Sequence, residues 1–587
     1  MRGPAGRLGI LGIVLRWSRA LSICALLALT VVSWLPRFRG PIDLRWDSGT
    51  YYVLGTALAQ GRGYRLLNEP GEIEAIQYPP LLPTLVAVHQ WALGTSDPMI
   101  VGHWLRLVFF AMFTVYVLTI YALLERVVPR GYAFVGVAMC VLYPFGMFLS
   151  DLLSSELPFA LLAVLFVLFS ERPGFRGYPV LAAVCATLAY LVRTAGIALL
   201  VAWVAESLLR REFKRAALRS AIAILPLVGW QGYVAGVQAS ASYRAPAYPY
   251  QRAEYLFYNI SYTANLWLRD PHRPELGKAS LFDLVSRVVG NVTRVPRSLG
   301  EAVSTERMHW QNAFGRLPLV RQAAWGRSGY VVATFAVVSL GVVVAGGIAI
   351  QLVGSNRLGG LYILTYTGVI CLTSWPLQWA RYLWPLAPFL VLALLQGLLA
   401  LHRWSSAPIP IRRVARILPP AVVGVVLTVQ AFTVFQVYRT IRGEAVLHDG
   451  QGRPHEFSLF YYAEPEREFD EALKWLRGRA GSDDVVATAM PHWAYLVTGR
   501  KTVMPPFEPD PRKAEFLLDA VPVRYIVMDS TGVDVSRLMR RSTVEVLRAG
   551  PSRWKEVYTG PSGLATVYER VTETASERTI DHGEPSR

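Results

Sequence analysis

Long apolar blocks separated by short polar segments fill the first three quarters of the chain. A membrane-spanning helix needs roughly 20 apolar residues, and blocks of about that length lie near Ser18–Pro36 and Val101–Leu124. The apolar run Tyr178–Leu209 is too long for one span and is broken at "VRTAG", which predicts two spans that meet at Arg193. Counted in this way, residues 1–437 predict an α-helical polytopic membrane protein with about 11 spans.

The pattern changes after residue 437. Helical periodicity in "EREFDEALKWLRGRA", "HWAYLVTG" and "PRKAEFLLDA" alternates with strand patterns in "DVVATA" and "VRYIVMD", and further strands are predicted at "STVEVLRAG", "WKEVYTG" and "LATVYERV". Alternating helices and strands predict a small α/β domain over residues 438–572. The polar end, residues 573–587, is predicted to be disordered.

Composition supports the membrane class, and charge gives an orientation. The chain is 53% hydrophobic and 17% charged, with a mean hydropathy of +0.33. Its net charge is +18, from 59 basic and 41 acidic residues, but the arginines gather in short loops beside apolar segments, as the positive-inside rule requires. We therefore expect the lipid bilayer, and no nucleic acid, as partner. The N-terminus should be cytoplasmic and the C-terminal domain outside, in the inner (plasma) membrane.

On this topology several charged residues gather on the outer side of the membrane. The first outer loop covers residues 37–78, and a long outer loop covers residues 238–328. The charged residues at outer span ends or in outer loops are Asp47, Asp151, Glu156, Arg193 and Arg381. Each alone could be an interfacial anchor. As a set, they would converge on one cavity if the helices form a bundle.

Five short sequences carry a resemblance to a known family. They are "RWDSGTYYVLGTALAQGRGY", "YPPLLP", "SSELPFALL", "LVRTAGIALL" and "ARYLWPLAP". Together they resemble the GT-C glycosyltransferases, which are integral membrane enzymes that use a polyprenyl-phosphate sugar as donor. The protein O-mannosyltransferases and the lipid A aminoarabinose and galacturonic acid transferases belong to this group. Many members carry an acidic pair in the first loop, whereas here Ser48 follows Asp47.

The resemblance implies roles for individual residues. Asp47 would be the general base for the acceptor hydroxyl, a role that contributes roughly 10² to 10⁴ in rate. Arg381, and after it Arg193, would bind the leaving lipid phosphate, because guanidinium groups bind phosphate through two parallel hydrogen bonds. The residues expected to contact substrate are Tyr51, Tyr52, Tyr64, Tyr78, Asp151, Glu156 and Tyr382. The tyrosines could equally be interfacial aromatics, and Asp151 could instead cap a helix.

The function expected from these residues is inverting transfer of one hexosyl or pentosyl group from a polyprenyl-phosphate carrier to a hydroxyl of a protein, lipid or cell-envelope glycan. No cofactor is assigned, and a divalent metal at Glu156 stays open. The long outer loop could act as a lid, and the C-terminal domain could dock the acceptor. The main alternative is a transporter or flippase for a lipid-linked or anionic solute. A non-catalytic scaffold or sensor, and an enzyme that transfers oligosaccharides, also stay open.

Overall fold

The computed structural model describes residues 19–171, 177–246, 248, 250–253, 256, 258–315, 325–354, 356–375, 378–402, 409–532 and 534–571. The chain divides into two compact units. The first, called here the helical unit, comprises Met1–Leu44, Tyr78–Gly236 and Ala279–Tyr461. The second, called the sheet unit, comprises Arg45–Gln77, Val237–Lys278 and Tyr462–Arg587. The tail predicted to be disordered, residues 573–587, lies outside the described residues.

Apolar α-helices build most of the helical unit. Up to residue 239 the described helices, including one of the sheet unit (α2), are α1 (Arg19–Trp34), α2 (Asp47–Ala59), α3 (Leu81–Leu93), α4 (Pro98–Leu124), α5 (Arg130–Val141), α6 (Pro144–Asp151), α7 (Glu156–Ser170), α8 (Tyr178–Val192), α9 (Ile197–Leu209) and α10 (Phe213–Ala239).

The helices that follow are α11 (Ala241–Arg244), α12 (Tyr262–Leu266), α13 (Leu281–Val292), α14 (Val295–Val303), α15 (Arg307–Phe314), α16 (Trp325–Val353), α17 (Arg357–Cys371), α18 (Trp379–Leu383), α19 (Ala387–His402) and α20 (Ile409–Gln436). Short 3₁₀ turns lie at Leu35–Arg37, Thr194–Gly196, Pro274–Leu276 and Trp384–Leu386, and a π-helical turn lies at Val437–Ile441.

The helical unit is that of a multi-pass membrane protein. Among the described residues, six helices are long and apolar enough to cross a membrane, or seven if α5 and α6, which meet at a bend of 57°, form one span. Shorter apolar helices lie at Leu81–Leu93, Glu156–Ser170, Tyr178–Val192 and Thr194–Leu209. The predicted break near Arg193 is confirmed, whereas the exact count of 11 spans is not.

Part of the predicted long loop packs directly against a membrane helix. A Cβ atom placed on Gly300 of α14 would lie 1.8 Å from the carbonyl oxygen of Val337, and one placed on Gly341 of α16 would lie 1.7 Å from that of Pro296. Only glycine allows two backbones to approach this closely. Within the segment predicted as a long outer loop, residues 281–314 thus form the three helices α13, α14 and α15.

A two-stranded hairpin, β1 (Arg442–His448) and β2 (Pro454–Phe460), ends the helical unit. The C-terminal part of the sheet unit contains α21 (Glu464–Arg477), β3 (Val485–Ala487), α22 (Pro491–Thr498), β4 (Lys501–Val503), α23 (Pro511–Ala520), β5 (Val523–Asp529), α24 (Asp534–Ala549), β6 (Trp554–Thr559) and β7 (Ala565–Arg570). Its strands form one sheet in the order β4-β3-β5-β7-β6. The predicted α/β domain is thereby confirmed in its class.

Strand β3 is parallel to both of its neighbours, β4 and β5, and β7 is antiparallel to β5 and β6. The next strand in the chain, β4, lies beside β3 on one side, and the strand after it, β5, lies beside β3 on the other side. The carboxyl end of such a strand is where α/β sheets place functional residues. Helix α22 begins there, four residues after Ala487.

The strand predicted at "STVEVLRAG" is wrong, because residues 534–549 form helix α24. Thr543, Val544 and Val546 are β-branched residues, which are typical of a strand. However, the buried residues are Ser536, Met539, Thr543 and Val546, whose spacings of three, four and three place them on one helical face. The other helices and strands predicted for this domain are confirmed.

Candidate active site

Asp47 is the first residue of α2, directly after a distorted residue. Trp46 has φ 54° and ψ −134°, a backbone conformation that favours glycine and costs about 1–3 kcal/mol in other residues. The Arg45 guanidinium carbon lies 4.4 Å from the centre of the Trp46 ring and 5.4 Å from that of Tyr462. The positive end of the helix dipole stabilises a negative charge at the position of Asp47.

Two distant segments of the sheet unit reach the start of α2. The Tyr258 hydroxyl donates a hydrogen bond of 3.2 Å to Asp47 Oδ1. The Tyr258 ring meets the His492 ring edge to face, with centroids 4.7 Å apart, and His492 Nδ1 lies 3.1 Å from Thr50 Oγ1. Asp47 itself is half-buried, and the neutral Tyr258 hydroxyl donates a hydrogen bond to its carboxylate.

His492 is neutral near pH 7. Its side chain is buried, and burial lowers its pKa to about 3. The reason is that a protonated ring would place a positive charge where water cannot solvate it. His492 therefore adds no positive charge beside Asp47. Sequence reasoning misses both Tyr258 and His492, although Tyr258 lies in the long outer loop, residues 238–328, for which the sequence suggests a role as a lid.

Four of the five tyrosines expected to contact substrate fall in two places, and the fifth, Tyr382, lies in the helical unit. Tyr51, Tyr52 and Tyr64 belong to the sheet unit, and Tyr78 to the helical unit. Tyr51, Tyr52 and Tyr78 are buried. The half-buried Tyr64 packs on the apolar cluster formed by Leu54, Leu66, Ile73 and Ala75. A ring enclosed in the protein contributes to packing whether or not its hydroxyl reaches a ligand.

Glu156, Arg193 and Arg381 come together in the helical unit. Arg193 Nη1 lies 2.6 Å from Glu156 Oε1, and Arg381 Nε donates to the same oxygen. The carboxylate is fully buried, whereas the side chains of Arg193 and Arg381 are 13% and 22% exposed. Two positive charges and one negative charge leave the group at +1. The Arg193 guanidinium also lies 5.4 Å from the centre of the Tyr382 ring.

Asp151 lies in a separate ionic cluster of the helical unit. Its carboxylate is 3.4 Å from Arg37 Nε, 3.1 Å from Arg106 Nη1 and 3.7 Å from Arg442 Nη1. All four side chains are at least 96% buried. The cluster joins the end of the first span, α4, α6 and the first residue of β1. Asp151 thus acts as a counter-ion for three arginines that the sequence did not single out.

The residues described in both units do not offer a dedicated metal site. Among them, no group of three or more His, Cys, Asp or Glu side chains could hold a metal ion. Glu156, the residue considered for a metal, instead accepts hydrogen bonds from Arg193 and Arg381. This donor set does not fit a divalent cation, because guanidinium groups surround the carboxylate.

Neither a protein-family model nor a curated protein matches this chain by sequence. Solved structures do match it. One is the oligosaccharyltransferase of Archaeoglobus fulgidus in complex with Zn and sulfate, at a TM-score of 0.51 and 14% identity over 94% of this chain and 73% of that one. The same archaeal enzyme, AglB, in complex with an inhibitory peptide and a dolichol-phosphate matches at 0.51 and 12% identity, over 94% and 74% of the two chains.

A bacterial structure matches over nearly its full length. It is ArnT from Cupriavidus metallidurans in the apo state, with a TM-score of 0.50 and 12% identity over 94% of this chain and 97% of that one. Both enzymes are membrane glycosyltransferases of the GT-C superfamily that use polyprenyl-phosphate-linked sugars. At this level of identity the likeness concerns the fold. The chain therefore has the fold of the GT-C membrane glycosyltransferases.

Proposed function

We propose that the protein is an inverting glycosyltransferase that moves a single sugar from a polyprenyl-phosphate carrier to a hydroxyl acceptor. The observation that carries the proposal is the environment of Asp47: a half-buried carboxylate at the start of a helix, after a strained residue, with the Tyr258 hydroxyl on one oxygen. The fold shared with GT-C glycosyltransferases supports it.

In the proposed reaction, Asp47 takes the proton of the acceptor hydroxyl as the acceptor oxygen attacks the anomeric carbon of the sugar. The bond between that carbon and the phosphate oxygen breaks, and the lipid phosphate leaves with the bonding electron pair. A single displacement of this kind inverts the anomeric configuration. A positioned general base contributes roughly 10² to 10⁴ in rate to such a step.

The leaving phosphate gains negative charge, and we assign Arg381 and Arg193 to it. Glu156 holds both guanidinium groups in place, and the group retains a net charge of +1. Preorganised cations stabilise developing charge without reorganising during the reaction. We further propose that the acceptor is a protein, lipid or glycan of the cell envelope. In this proposal the transfer occurs on the outer face of the inner (plasma) membrane.

The test is a donor panel with purified protein in nanodiscs. Radiolabelled polyprenyl-phosphate sugars, hexosyl and pentosyl, are incubated with the protein and a membrane extract as acceptor source. We expect one donor to be consumed and the labelled product to have the opposite anomeric configuration. Retention of configuration would contradict the assignment of Asp47 as base. Movement of intact lipid-linked sugar across proteoliposomes without cleavage would favour the transporter instead.

A further inference from the structure

Three segments that are far apart in the chain meet at the start of α2, all within the sheet unit. We propose that Tyr258 and His492 are positioning residues for Asp47. Tyr258 fixes the carboxylate through its hydroxyl, and His492 fixes both the Tyr258 ring and, through Thr50, the first turn of α2. The inference rests on the proposed role of Asp47. It gives the C-terminal sheet a part in catalysis other than acceptor docking.

His492 is held rigidly by its neighbours in the chain. The Thr502 hydroxyl of β4 donates a hydrogen bond of 2.6 Å to the carbonyl of Pro491. Trp493 Nε1 donates at 2.8 Å to Asp470, which also accepts from the Tyr462 hydroxyl at 2.9 Å. Residues on both sides of His492 are therefore fixed to the sheet and to α21. The sheet and α21 therefore set the position of the His492 ring, and the ring in turn sets the positions of Tyr258 and Thr50, which it contacts.

The segment that carries Tyr258 is held at a second point by Glu69. Asn259 Nδ2 donates at 3.2 Å to Glu69 Oε1, and Gln251 Nε2 donates at 3.3 Å to Oε2. Gln251 also donates at 2.6 Å to the carbonyl of Pro70. Because Asn259 follows Tyr258 directly, this clamp fixes the main chain beside the tyrosine. The ring and the main chain of Tyr258 thus have separate supports.

The next turns of α2 rest on the same helix that carries His492. Val53, Ala57 and Leu67 form a buried cluster against which Tyr495 and Leu496 of α22 pack. This packing sets the direction of α2, whereas Thr50 and Tyr258 set the position of its first residue. A displacement of about 1 Å at a catalytic group can cost about a hundredfold in rate. We therefore expect the contacts that hold the start of α2 to affect the turnover rate, kcat, rather than donor binding, KM.

The experiment compares variants that each lose one hydroxyl group. Tyr258→Phe keeps the ring on His492 and removes the hydrogen bond to Asp47, and Thr50→Val removes the contact with His492. We expect kcat to fall about tenfold to a hundredfold while KM for the donor stays within about twofold, and Thr50→Ser to restore most of kcat. Tyr568→Phe, which loses a hydroxyl in strand β7 of the same unit, serves as control and should keep its kcat.

Amide hydrogen exchange of the peptide covering residues 47–59 gives a second readout, which does not depend on activity. We expect Thr50→Val and His492→Phe to raise exchange at the first turn of α2 without changing the melting temperature by more than the control does. If the intact protein turns over no donor, the proposed function fails, and the exchange result alone decides the positioning role. Unchanged kcat in Tyr258→Phe, or unchanged exchange in an inactive protein, would overturn the inference.

Discussion

The helical unit and the sheet unit differ in how they hold four buried acids and the half-buried Asp47. In the helical unit, Asp151 and Glu156 are surrounded by arginines. In the sheet unit, Glu69 accepts from two side-chain amides, Asp470 from a tryptophan and a tyrosine, and Asp47 from a tyrosine. In the first kind of site an arginine pairs directly with the carboxylate, and in the second a neutral group donates a hydrogen bond to it.

The difference bears on which acid can take a proton. A carboxylate paired with arginine gives up that pairing when it is protonated, and it leaves the arginine without a counter-ion in a dry environment. A carboxylate held by a hydroxyl or an amide does not incur this cost. The comparison therefore supports the proposed roles, in which the arginine-paired Glu156 serves charge balance and phosphate binding and Asp47 serves proton transfer.

Asp151→Asn should have the largest effect on folding. The substitution leaves Arg37, Arg106 and Arg442 buried with their shared counter-ion removed. Breaking a buried ion pair by removing one partner costs about 3–5 kcal/mol, so we expect little monodisperse protein after extraction in detergent. Size-exclusion profiles and melting curves measure this. Asp47→Asn is the matched control and should fold normally, and equal behaviour of the two variants would contradict the comparison.

Glu69 predicts a pH dependence of stability. Burial raises its pKa to about 7 from an ordinary value of 4.5, so the folded state binds a proton more tightly than the unfolded state. Its contribution is fully present below about pH 4.5 and is lost as the pH rises through about 7. The shift corresponds to about 3 kcal/mol. Melting temperatures between pH 5 and pH 8 should fall less steeply with rising pH in Glu69→Gln than in the intact protein.

The control for Glu69 is His492, whose pKa is lowered to about 3. Its contribution is present above the ordinary value of 6.5 and is lost as the pH falls towards about 3, which is the opposite direction. His492→Phe should therefore flatten the acid side of the melting profile, whereas Glu69→Gln should flatten the neutral side. Identical profiles for the two variants would mean that burial does not set the pKa values of Glu69 and His492.

Arg381→Lys should have a smaller effect, confined to donor binding. Lysine keeps the positive charge beside Glu156 but loses the planar fork that binds phosphate through two hydrogen bonds. We expect KM for the polyprenyl-phosphate sugar to rise about tenfold, equivalent to about 1.4 kcal/mol, with kcat changed less. Arg524→Lys is the control, because Arg524 pairs with Glu569 in the sheet unit. A KM equal to that of the control would remove Arg381 from the donor site.

Local patterns predicted much of the fold and part of the site. Apolar blocks located the membrane helices, and the sequence singled out Glu156, Arg193 and Arg381, which the structure brings together. The hairpin of β1 and β2 and the short strand β4 were missed. For the hairpin, "HDGQG" between two strand-like runs is a turn signal that could have revealed it.

The partners of Asp47 had no local signal. Tyr258 is 211 residues away from Asp47, and His492 is 442 residues away from Thr50. Such contacts depend on how the sheet packs against α2, and neither hydrophobic periodicity nor turn residues encode that. The same holds for the arginines around Asp151, since each looks like an ordinary basic residue in its own segment.

The most direct test of the account is the rate of sugar transfer by Asp47→Asn, measured with the donor that the panel identifies. The variant and the intact protein are compared in nanodiscs at matched amounts of folded protein. The account predicts a fall of at least about a hundredfold, as expected for the loss of a general base, with an unchanged melting temperature. Transfer at the rate of the intact protein would show that Asp47 takes no proton and would contradict the central claim.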